Sequence, residues 1–312
     1  MGKTYNLAKW LIVVAAYVYL VYKLLTFSQY PDLVEQCRNV TLSRLWWLVG
    51  IVALLPVNWL LEAVKWQRLS ANVQSLSLFT SIKAVLAGIS TGFFTPNRVG
   101  ELVGRVMFLS EANRKSGVTL SLVNSLTQNL IMALCGLPAC LLFFTQTVGI
   151  VEANITHYLF FIVVFLILFG LFYFALPLLS RQFKSNRFAH IILPFTDCLT
   201  GYSFRQLAAI MLISLVRYLV FCVQFFFMLR FFGVHLDSWQ ALISIPTTYL
   251  FVTFTPSFAF SEAAVRSSYA VLVIGAFSGQ VVSIALAGLC IWLINFVVPM
   301  LVGSVVMVKS KC

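Results

Sequence analysis

Six stretches of this chain, roughly 9–27, 45–66, 118–146, 156–179, 206–232 and 280–307, run for the ~20 apolar residues that a helix needs to cross a bilayer core. Hydrocarbon offers no partner for a backbone N–H or C=O, so such segments fold as helices that satisfy their own hydrogen bonds. The chain is 61% hydrophobic and only 10% charged, which excludes an ordinary soluble domain. Its longest connection, roughly 180–205, is too short for a separate soluble domain. Lys3 and Lys9 precede the first apolar run as in a signal peptide. That run continues past Tyr22 with no small-x-small cleavage site, so it reads as an uncleaved first span.

Two further apolar regions, 80–109 and 240–275, are each divided by a Thr-Pro pair, Thr95-Pro96 and Thr255-Pro256. A proline ends a helix because it lacks an N–H and its ring clashes with the preceding turn. The resulting pieces are too short to span, and each region reads as a re-entrant helical hairpin. Small residues at helical spacing support close approach of the halves: Ala84, Gly88 and Gly92 against Gly100 and Gly104, and Ala259, Ala263 and Ser267 in the second region. The expected fold class is an all-α polytopic membrane protein, a single transmembrane domain over 1–312. It has about six full spans plus two re-entrant hairpins.

The interrupted regions also carry a duplicated charge pair. Glu101 and Arg105 recur about 161 residues later as Glu262 and Arg266. Spacing of four puts each pair on one helix face. The same shift carries Arg44 onto Arg205, giving a span–hairpin–span unit over 45–146 and again over 206–307, with extra spans 9–27 and 156–179. Three crossings separate the two units, so the second is inverted. Inverted repeats with broken helices meeting near mid-membrane are a pattern of secondary transporters.

The net charge of +12 follows the positive-inside bias of membrane loops, and nucleic acid is not expected. One face collects Lys3, Lys9, Lys65, Arg68, Arg114, Lys115, Arg181, Lys184, Arg187, Arg205, Lys309 and Lys311. Both termini are therefore expected on the cytoplasmic side of the cell (inner or plasma) membrane. The first hairpin then dips in from the cytoplasm and the second from outside.

Ionisable side chains at membrane depth are costly and mark function. Around the first tip stand Thr95, Pro96, Arg98, Gly100, Glu101 and Arg105; around the second stand Thr255, Pro256, Glu262 and Arg266. A helix N-terminus with a nearby guanidinium suits an anion such as phosphate. The second tip has no equivalent of Arg98, so a phosphate headgroup is expected on the Arg98 side. Arg217, deep in its span, is the best further cation for a polar cavity. Asn58, Glu62 and Lys65 share a face, with Lys65 expected to snorkel to the interface. Ser121, Asn124 and Gln128 share another, where interhelical hydrogen bonding is the plainer reading. The scattered cysteines and three histidines make no metal-ligand spacing. No catalytic set, metal site or cofactor is expected.

The run Ser90-Thr91-Gly92-Phe93-Phe94-Thr95-Pro96-Asn97-Arg98-Val99-Gly100-Glu101 resembles the Pro-x-Arg-x-Gly-Glu element of the lysylphosphatidylglycerol synthase transmembrane-region family. The second element, Thr255-Pro256 through Glu262, resembles that family's second half. The resemblance implies a flippase-like membrane protein that handles aminoacylated phospholipids, polyisoprenyl-linked sugars or similar lipids. The cytosolic aminoacyl-transferase domain of the full-length synthases is not seen, so synthesis of lysylphosphatidylglycerol is not expected. The expected function is movement of a phosphate-bearing lipid, with membrane lipids as partners and no enzyme activity. The alternative is a scaffold or accessory subunit for a lipid-modifying or glycosyl-transferring enzyme.

Overall fold

The computed structural model describes residues 42–93, 95, 98–149, 152–183, 197–257 and 259–309. The expected span 9–27 lies outside the described residues, as do Pro96 and Asn97 at the first tip. Among the described residues the fold is helical, without strands. Helix α1 covers Leu42–Ser70, α2 Leu78–Gly92, α3 Gly100–Val106 and α4 Arg114–Thr147. Then come α5 at Glu152–Phe183, α6 at Phe204–Phe231, α7 at Ser238–Phe254 and α8 at Ala259–Ile274. The last segment runs as α9, Val281–Trp292, a π turn at Leu293–Val297, and α10, Val298–Lys309.

Five segments are long and apolar enough to cross a membrane: Arg44–Ser70, Glu111–Thr147, Ile155–Gln182, Phe204–Phe231 and Val281–Val308. They coincide with five of the six expected spans. Pro56, Pro138, Pro177 and Pro246 lie inside continuous helices, where neighbouring helices can make up for the lost backbone bond. At the Thr-Pro pairs the chain does break. Thr255 is extended, with φ −89° and ψ 117°, because a residue before proline is pushed out of the helical region. Helices α2 and α3 have 15 and 7 residues, or ~22 and ~10 Å at helical rise. Each falls short of the ~30 Å hydrocarbon layer.

Caps hold the helix starts. Ser77 Oγ accepts from the Thr80 N–H at 3.1 Å at the start of α2. Ser203 and Gln206 form a reciprocal capping box at the start of α6. Helices α2 and α3 then lie antiparallel at near backbone contact. A Cβ on Gly100 would stand 2.3 Å from the Thr91 carbonyl oxygen, and one on Gly104 2.6 Å from that of Ala87. In the second interrupted pair, Ser267 of α8 faces α9, while α8 also contacts α7. Ser267 Oγ donates to the Ala285 carbonyl at 3.1 Å, and a Cβ on Gly288 would stand 3.1 Å from Ser267 Cα.

The helix pairings are reciprocal. The first interrupted pair leans on the last segment of the chain, α2 on α10. There Ser90 Oγ donates to the Met300 carbonyl at 2.7 Å. The second interrupted pair leans on the middle of the chain, α7 on α4, while α1 packs along α6. A large apolar cluster that includes Ile51, Phe225, Tyr249 and Ile291 fills the space between α1, α6, α7 and α9. Helix α5 packs along one edge on α4, and only 6% of its most apolar window is buried. This frame leaves a polar space where α1, α3, α4, α6 and α8 converge.

Candidate functional site

That space is a cavity of about 450 Å3, within the size range of small-ligand sites. Among the expected site residues, Arg98, Glu101, Arg105, Arg217, Thr255, Pro256, Glu262 and Arg266 line it. Thr95 and Gly100 do not. They build the first tip instead: the Gly100 N–H donates to Thr95 Oγ1 at 2.7 Å, and Thr91 Oγ1 donates to the Gly100 carbonyl at 2.7 Å. Pro96 lies outside the described residues.

Both duplicated pairs form. Arg105 Nη2 donates to Glu101 Oε2 at 3.1 Å, and Arg266 Nη2 to Glu262 Oε1 at 3.1 Å. Arg98 reaches across to the other interrupted pair, where its Nη2 donates to Glu262 Oε1 at 2.5 Å. Its Nη1 also lies 3.8 Å from Glu101 Oε1. Arg98 takes a left-handed backbone, φ 57°, uncommon for a residue with a side chain. Its guanidinium sits 3.5 Å from the Phe296 ring centre. Arg266 lies 5.3 Å from the same ring, so one aromatic face stands beside two cations of the site.

The deepest carboxylate is Glu62. Its Oε1 accepts from Arg105 Nη2 at 2.7 Å and from Asn124 Nδ2 at 2.8 Å. Its Oε2 lies 2.9 Å from Arg217 Nη1 and 3.1 Å from Lys65 Nζ. Lys65 is fully buried, which corrects the expectation that it snorkels to the interface. Glu62 lies one turn away on the same face, and pairing with that buried carboxylate outweighs hydration of the ammonium at the interface. Arg217 is held further by Asn58 Oδ1, which accepts from its Nε at 2.8 Å, and by Gln128 Oε1 at 3.3 Å. The stripes on α1 and α4 thus supply both interhelical hydrogen bonds and cavity wall.

Sequence reasoning missed the π turn. Asn295 and Phe296 both line the cavity from it, and Asn295 Oδ1 accepts from Asn58 Nδ2 at 3.3 Å. Pro299, which has no N–H for the Asn295 carbonyl one turn back, follows directly. Wide turns of this kind recur at functional sites, and Pro299 was the one signal that pointed here. Tyr249 was missed as well; its ring faces Arg266 at 5.6 Å, and its helix carries no charge to mark it.

The arrangement is an interrupted-helix membrane protein with a polar cavity lined by four arginines and three glutamates. The profile of the family described as lysylphosphatidylglycerol synthase TM region matches residues 6–303, and the chain belongs to that family. No curated protein and no solved structure matches the chain.

Proposed function

We propose that this protein moves a phosphate-bearing lipid across the membrane, with the headgroup passing through the cavity between the two interrupted helix pairs. The observation that carries this reading is the convergence of four arginines, from both pairs and from α6, on one cavity at the core of a membrane-spanning bundle. Buried ion networks contribute little net stability, so a network of this size needs a reason beyond holding the fold. Guanidinium groups match phosphate oxygens with paired donors.

In this reading the two interrupted pairs are hairpins that re-enter the membrane from opposite sides, and units 45–146 and 206–307 are inverted copies. The reciprocal pairings of α2 with α10 and α7 with α4 are those such a symmetry produces. Arg98, which joins the first tip to Glu262, then acts as a latch between the hairpins. An arriving phosphate competes for Arg98 and Arg266, frees Glu262, and lets the halves rock about the site. Transport of this kind needs no covalent chemistry. The N-terminus and C-terminus lie in the cytoplasm of a cell with the protein in its inner or plasma membrane.

The second reading is a scaffold for a lipid-modifying or glycosyl-transferring enzyme. Its docking face would be α5, where Phe160, Phe161, Phe165 and Phe172 are exposed and otherwise meet lipid. The two readings separate in vesicles that hold the purified chain alone. The transport reading expects headgroups of a labelled phosphate-bearing lipid to become accessible from the opposite leaflet faster than in protein-free vesicles. A scaffold would leave that rate unchanged until its enzyme is added.

A further inference from the structure

The ion network that lines the cavity, together with Lys65 buried behind its wall, does not balance. Five cations, Lys65, Arg98, Arg105, Arg217 and Arg266, are joined through ion pairs to three carboxylates, Glu62, Glu101 and Glu262. Among the described residues this leaves a surplus of two formal positive charges. The surplus is uneven: three cations surround Glu62, two surround Glu262, and Glu101 sits between the groups. An unmatched charge in a low-dielectric interior is strongly unfavourable, so the site is built to be completed by an anion.

Unused donors point the same way. Arg105 Nη1, Arg266 Nε and Gln128 Nε2 are buried and make no hydrogen bond within the protein, and all three residues line the cavity. Arg105 and Arg266 are 3% and 6% exposed, and the three atoms are shielded from the cavity space as well, so an anion engages them only once these side chains turn toward it. A terminal phosphate presents three oxygens that only accept, whereas a phosphodiester presents two and a single charge. A headgroup that carries an ammonium would place a further cation among four arginines, an arrangement that rejects it.

From these observations, and resting on the headgroup reading above, we infer that the cavity selects a phosphate group with at least two negative charges. The class is a phosphomonoester or pyrophosphate, which meets Arg98 and Arg266 on arrival and comes to rest nearer Arg105 and Arg217. Zwitterionic, lysine-bearing and singly charged diester lipids are disfavoured. The same chemistry could be presented by a lipid or by a free phosphate compound, and the test separates the two.

The full chain in detergent is titrated, under native mass spectrometry, with short-chain phosphatidic acid, a soluble prenyl pyrophosphate, short-chain phosphatidylglycerol and phosphatidylethanolamine, and inorganic pyrophosphate. Mildly alkaline buffer keeps the second charge on phosphatidic acid. Phosphatidic acid and prenyl pyrophosphate should bind on the order of tenfold tighter than phosphatidylglycerol, as one extra close charge contact implies. Arg98→Gln, at the partly open mouth, and Lys65→Met, in the deep group, should each lower that preference. Binding of inorganic pyrophosphate as tight as that of the prenyl compound would support the multiply charged class and overturn a lipid as its source. Equal binding of phosphatidylglycerol and phosphatidic acid, or tighter binding of phosphatidylethanolamine, would overturn the inference and leave lipid transport standing. Binding of none would overturn both.

Discussion

Glu62 is the residue on which the site is centred, because three cations share its two oxygens. Glu62→Gln keeps the shape and removes the charge, which leaves the buried Lys65 and the half-buried Arg217 without a carboxylate. Breaking a buried ion pair from one side costs about 3–5 kcal/mol. The variant should therefore melt well below the parent in detergent, and Glu62→Gln with Lys65→Met should regain part of the loss. Equal melting of Glu62→Gln and the parent would mean that the network does not hold the bundle. At this scale the local pairs were legible: Glu101–Arg105 and Glu262–Arg266 follow from helical spacing alone. The bridge from Arg98 to Glu262 was not, since 164 residues separate its ends and no periodicity links them. Burial of Lys65 was missed although Glu62 shares its helix face, because Glu62 is itself held deep by Arg105 and Arg217 on other helices, which spacing along one helix does not show.

The interrupted pair α2–α3 depends on glycine where two backbones touch. Gly100→Ala would place a methyl 2.3 Å from the Thr91 carbonyl oxygen, and overpacking of this kind costs about 1–3 kcal/mol. Gly170 in α5 has nothing within 4 Å of the same added atom. Gly170→Ala should be neutral or stabilise by up to about 1 kcal/mol from helix propensity. Thermal unfolding of the two variants beside the parent checks the contrast, and similar behaviour would show that α2 and α3 do not meet as described. The breaks themselves were legible because Thr-Pro interrupts two apolar runs. The other prolines show why proline alone is a weak signal: Pro56 and Pro246 sit in unbroken helices. The partner of α8's small face was illegible, since alanine and serine spacing says that some helix approaches closely and not which one.

For the whole molecule, apolar run length found the five spans among the described residues, and that reading needs no tertiary information. The pairing of α2 with α10 and of α7 with α4 lies beyond it, because it depends on how distant segments fold back on one another. The proposed inverted arrangement makes a two-sided prediction in a background with its seven cysteines replaced. Ser110→Cys and Ala276→Cys, both exposed, should react with an impermeant thiol reagent from opposite sides of oriented vesicles. Reaction from the same side would rule out opposed hairpins. The central claim is that the arginines of the cavity carry a phosphate headgroup across. Its most direct measure is the rate at which a labelled phosphate-bearing lipid becomes accessible in the opposite leaflet of vesicles containing Arg105→Ala plus Arg266→Ala. The account predicts a fall to the rate of protein-free vesicles with the protein still folded, and a rate equal to the parent's would contradict it.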